Sequence, residues 1–82
     1  MVIAVKLFGP AAQRVGAREV HVALDQDHAT CRAIRAALAE SAPAMGELLP
    51  ASRFAVNHEF AGEDDPVRAG DEVALIGMVS GG

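Results

Sequence analysis

The pair Gly81-Gly82 ends the 82-residue sequence, directly after Val79 and Ser80. With glycine at roughly 7 % of average composition, two in succession at a given place arise by chance in about one sequence in two hundred, so the pair calls for a chemical reason. Glycine has no Cβ and takes up extended and left-handed backbone conformations alike. A tail made this way is thin enough to enter a narrow tunnel in another protein. The group it would deliver is the Gly82 carboxylate. Ionised at neutral pH, a carboxylate is a poor acyl donor because oxide is a poor leaving group. Joining it to AMP supplies a good leaving group, which sulfide or a persulfide can displace. No glycine-rich loop lies between a strand and a helix to hold ATP. Activation is therefore expected from a separate, ATP-using enzyme, and this chain is expected to bind no cofactor itself.

Other reactive side chains carry less. His21, His28 and His58 are seven and thirty positions apart, neither of which is a usual ligand-pair spacing on one helix face, and a single cysteine cannot complete a structural zinc site, so no metal site is expected. Cys31 sits at the start of a helical pattern, where the helix dipole can lower a thiol pKa. It also falls in the apolar stripe of that helix, which points to a buried structural thiol. Six of the eleven acids (Glu59, Glu63, Asp64, Asp65, Asp71 and Glu72) fall in one short stretch opposed by Arg68. They lack the regular spacing of a calcium loop and read first as a solvated loop, second as a docking face. The net charge of -4 argues against nucleic acid or an anionic membrane as partner. With one cysteine, no charged-then-apolar leader and no long apolar run, the expectation is a cytoplasmic protein without membrane association.

These residues need a scaffold, and 82 residues allow one small domain. At 51 % hydrophobic and 4 % aromatic, its core is expected to be Val, Ile, Leu and Ala, with Phe8, Phe54 and Phe60 as the only large rings. Residues 2–8 are almost wholly apolar and read as a strand covered on both faces. Gly9-Pro10 stops it, and residues 11–15 suit one helical turn. Residues 18–24 alternate with Val20, Val22 and Leu24 on one face, as a half-buried strand pairing with the first in a hairpin. After the polar break 25–28, Thr30 caps a helix within 31–41, on which Cys31, Ile34, Ala37 and Leu38 recur at helical spacing. Pro43 ends it, and residues 45–49 suit a short turn. Residues 53–56 form a strand, Asn57-His58 a tight reversal, and 59–61 the return. A loop at 62–66, a turn at 69–71 and a last strand at 72–76 complete the chain. One amphipathic helix must bury its stripe on one face of a small mixed sheet, which is the α+β plan of the β-grasp. By analogy with that fold, the first and last strands lie parallel at the sheet centre. The domain is taken as 1–77, and 78–82 as a flexible tail.

The ending 75–82, preceded by Ala69-Gly70-Asp71-Glu72-Val73, resembles that of the molybdopterin synthase small subunit and its ubiquitin-like sulfur-carrier relatives. So do Val56-Asn57 before a short hairpin, and residues 5–16 as that family's first strand and following turn. The resemblance covers nearly the whole chain. It implies that an E1-like enzyme adenylates Gly82, that sulfur replaces AMP to give a thiocarboxylate, and that the tail of Val79, Ser80 and Gly81 inserts into the large synthase subunit. There, sulfur from two carriers builds the dithiolene of molybdopterin on cyclic pyranopterin monophosphate. In that reaction the chain is a sulfur-donating subunit and not the catalytic one. Where many members carry a proline pair this chain has Gly77-Met78, which makes for a less stiff tail. Carriers for thiamin thiazole, cysteine or tRNA thiolation use the same tail chemistry, and thiazole carriers tend to be shorter over the stretch matching 8–16. A ubiquitin-like modifier linked to target lysines is the alternative of a different class.

Overall fold

The computed structural model describes residues 1–77. Seven strands and two α-helices follow in the order β1 (Val2–Leu7), α1 (Gly9–Val15), β2 (Glu19–Ala23), β3 (His28–Thr30), α2 (Cys31–Ser41), β4 (Ser52–Val56), β5 (Glu59–Ala61), β6 (Pro66–Arg68) and β7 (Val73–Gly77). Two 3-10 turns, Pro43–Met45 and Leu49–Ala51, link α2 to β4. The main sheet runs β2-β1-β7-β4-β5, with β1 and β7 parallel and the other pairs antiparallel. With α2 across one face, this is the β-grasp fold expected from the sequence.

Local chemistry explains the elements. The Thr30 side chain accepts a hydrogen bond from the Ala33 N–H at 3.2 Å, satisfying one of the free donors at the start of α2. Along that helix Cys31, Ile34 and Leu38 are buried. They meet Ile3, Val5 and Leu7 of β1, Val22 of β2, Phe54 of β4 and Val73 and Leu75 of β7 in one apolar core. Asn57 and His58 both have positive φ, 52° and 70°, the backbone of the two-residue hairpin turn whose twist matches the flanking strands.

Three expectations need correction. First, β1 is covered on one face only: Ile3, Val5 and Leu7 are buried, whereas Val2 is 64 % and Phe8 54 % exposed. Its apolar run comes from an open sheet face as well as from the core. Second, Gly9-Pro10 does more than stop β1, since it opens α1. Gly9 turns the chain with φ +54, and Pro10 lies at the first helical positions, where its missing N–H costs nothing. Third, the polar break and the loop contribute β3 and β6, which pair as a separate small ladder, His28 with Arg68 and Thr30 with Pro66. Val67 at its centre is fully buried.

Candidate functional site

Strand β7 delivers the C-terminal segment. It is clamped between β1 and β4, with Leu75 opposite Leu7 on one side and Phe54 on the other. Gly77, the last described residue, pairs with Ser52. The predicted tail residues Val79, Ser80, Gly81 and Gly82 lie outside the described residues. Ladder pairing holds Gly77 at one end of the sheet, where it lines one cleft with the exposed Phe8.

Beyond the helix, the opposite face of the sheet is open and built by register. Lys6, Ala74, Ala55 and Phe60 form one row across four strands, and Ile76 and Arg53 pair in the next. The floor is small side chains, and the rim carries Phe8 and Phe60, 54 % and 57 % exposed. Arg53 stacks over the Phe60 ring at 4.6 Å, covering part of it with its own planar cation. Of the three phenylalanines only Phe54 is in the core. Two large rings are thus left in water on this open face, which makes it the candidate contact surface.

The acidic stretch is not one face. Glu63 makes two bonds with the Arg35 guanidinium, at 2.9 and 3.0 Å, and Asp64 lies 3.0 Å from Arg32. Asp65 accepts from the Gly62 N–H at 2.7 Å, and Asp71 from the Arg68 N–H at 2.8 Å. Glu72 holds Lys6. Four of these five acids are therefore bound within their own loops or to the helix behind the sheet. That is the solvated-loop reading with structural uses added.

Arg35 is the residue that sequence reading missed. Its side chain also donates to the Leu49 and Ser52 carbonyls and lies over the Phe54 ring at 5.2 Å. One cation thus ties α2 to the segment leading into β4 and to the Glu63 loop. No spacing in the sequence signals this, because its partners are 14 to 28 positions away.

Cys31 is fully buried. Burial pushes its thiol up, with Asp65 and Glu63 adding to the effect, so it is a poor nucleophile and part of the core. Cys31→Ala is expected to keep the sulfur transfer anticipated from the tail sequence and to lose about 1 kcal/mol of stability from the shrunken side chain. Transfer assays alongside urea denaturation check both halves. Among the described residues no three metal-binding side chains come together, and no helix is long and apolar enough to cross a membrane.

Comparison with known proteins follows this geometry. No curated protein sequence matches the chain. Among solved structures it is similar to SAMP1 of Haloferax volcanii, with 34 % identity, TM-score 0.82 and complete coverage of both chains. A putative molybdopterin converting factor subunit 1 of Pyrococcus furiosus shares 21 % identity at TM-score 0.81, over 96 % of this chain and 99 % of that one. The complex of subunits 1 and 2 of the molybdopterin-converting factor of Helicobacter pylori gives 24 % identity and TM-score 0.68, with both chains fully covered. The model of the ThiS family matches residues 5–82, tail included, and this chain of ubiquitin-like fold therefore belongs to the ThiS family of sulfur carriers and modifiers.

Proposed function

We propose that this chain is the sulfur-donating small subunit of a molybdopterin synthase. An E1-like enzyme adenylates the Gly82 carboxylate using ATP, sulfur displaces AMP, and the thiocarboxylate is carried on Val79, Ser80 and Gly81 into the large subunit. The observation that carries this reading is the junction of β7 with the open sheet face. The five residues after Gly77 span at most roughly 17 Å when fully extended, so an enzyme that takes their end must stand against the domain. The surface next to that exit is the apolar face bearing Phe8, Ile76 and Phe60. The Helicobacter pylori assembly of subunit 1 with subunit 2 supports a large subunit as the protein that stands there. The likeness to SAMP1 at 34 % identity favours a second reading, a modifier joined to target lysines by the same activated carboxylate.

One reconstitution separates the readings. Treated with the activating enzyme, ATP and a sulfur source, the chain is expected to gain the mass difference between sulfur and oxygen at Gly82. Mixed then with the large subunit and cyclic pyranopterin monophosphate, it should yield molybdopterin and return to its starting mass. A thiocarboxylate that the large subunit leaves untouched would direct the sulfur to thiazole, cysteine or tRNA instead. Lysine-linked conjugates in cells, with no molybdopterin formed, would select the modifier.

A further inference from the structure

Lysine occurs once in the sequence, at Lys6, beside six arginines. For a chain whose carboxylate is activated, that count has a chemical meaning. An acyl-adenylate is open to any free amine: the nitrogen lone pair attacks the acyl carbon, an N–C bond forms, the C–O bond to AMP breaks, and the nitrogen gives up a proton to solvent. Guanidinium groups stay protonated and do not compete. Lys6 is thus the one side-chain amine through which the tail of one copy could be joined to another.

Burial does not protect this amine, since the Lys6 side chain is 48 % exposed. Its contacts do. Lys6 Nζ lies 2.5 Å from Glu72 Oε1, and the second carboxylate oxygen of Glu72 lies 2.5 Å from His58 Nε2. Glu72 is braced in turn. Its backbone N–H donates to Asn57 Oδ1 at 2.9 Å, and its carbonyl accepts from the Asn57 N–H at 2.7 Å. The hairpin turn therefore fixes the Glu72 backbone and supplies the His58 neighbour of its carboxylate. Glu19, cross-strand from Lys6 on β2, is the other acid near the amine.

The geometry points to Glu72 as a guard of Lys6: it holds the ε-amine in an ion pair and so keeps the activated tail of one copy from acylating another. Its biological sense rests on the activated-carboxylate reading above. A carboxylate at contact distance favours the ammonium over the free amine, and only the free amine attacks. The hydrogen bond and the charge of Glu72 accordingly raise the Lys6 pKa. Glu72 thereby acts against acylation, and removing its charge should expose the nucleophile.

The test needs no activating enzyme. The whole chain and its Glu72→Gln variant are treated with the N-hydroxysuccinimide ester of acetic acid in mildly alkaline buffer, and acetylation at Lys6 is followed by peptide mass mapping. The Met1 amine serves as internal reference. Lys6 should react about two- to fivefold faster in the variant, the factor that an exposed ion pair of ordinary strength corresponds to. In the unaltered chain, added salt should raise the Lys6 rate towards that of the variant, because an exposed pair is screened. Equal rates in the two proteins, or an unaltered-chain rate that salt leaves unchanged, would overturn the guard. If the activated-carboxylate reading is wrong, the reconstitution gives no thiocarboxylate, yet the difference at Lys6 stands.

Discussion

Deleting Gly82, or adding one residue after it, is expected to abolish thiocarboxylate formation while leaving thermal stability nearly unchanged. The two effects separate because fold and chemistry occupy different parts of the chain. The last buried side chain before the tail is Leu75, and the last ladder pair joins Gly77 to Ser52. The buried core described here is built from residues before that point. Activation, by contrast, requires the carboxylate to meet ATP in line. One residue more or fewer moves it by roughly 3.5 Å, far beyond the tolerance of a displacement reaction. Intact mass after incubation with the activating enzyme, ATP and a sulfur source reads the chemistry, and a thermal melt reads the fold. A thiocarboxylate on the extended variant, with the added residue still attached, would show that Gly82 is not the reacting residue.

Arg35→Ala is expected to cost about 2–4 kcal/mol of stability although the residue is not wholly buried. It removes a two-bond pair with Glu63 and leaves the Leu49 and Ser52 carbonyls without a charged donor. The stacking over Phe54 goes with it. Partial exposure of Glu63 keeps the figure below that of a fully buried pair. The substitution should also alter acid sensitivity. Arg35, through its hydrogen bonds and charge, holds the Glu63 carboxyl below the usual carboxylate range. A group whose pKa falls on folding adds stability above its unfolded pKa and loses it as pH drops through the folded value. The unaltered protein should therefore lose this contribution on acidification below the ordinary glutamate range, and Arg35→Ala should lack that part of the decline. Urea midpoints measured between neutral and acidic pH decide it; parallel pH profiles would assign the acid sensitivity to other groups.

What could be read in advance depended on how local its cause was. The alternation of Val20, Val22 and Leu24, the Thr30 cap and the Asn57-His58 reversal are set by neighbours in the chain, and each formed as expected. Strands β3 and β6 have three residues each, too few for a periodic pattern, and exist because distant segments meet. Residues 2–8 misled for another reason. An apolar side chain left on an open face, such as Phe8, is the same letter as one bound for the core, so an open face reads as a second buried one. Arg35 belongs to the β3 and β6 case, since only the fold brings its partners together. The chemistry proposed for the tail rests on Gly81-Gly82, which lie outside the described residues, and draws nothing from packing.

The place of β7 between β1 and β4 also governs how the molecule can come into being. Two hairpins, β1 with β2 and β4 with β5, join residues near in sequence and can close early. Neither completes the core, because each leaves one edge waiting for the strand synthesised last among the seven. The pairs Val5 with Val73 and Leu7 with Leu75 span most of the chain, and contacts of that separation slow folding. Before β7 pairs, the facing edges of β1 and β4 therefore have no ladder partner. Pairing of β7 with both edges joins the two halves into one sheet.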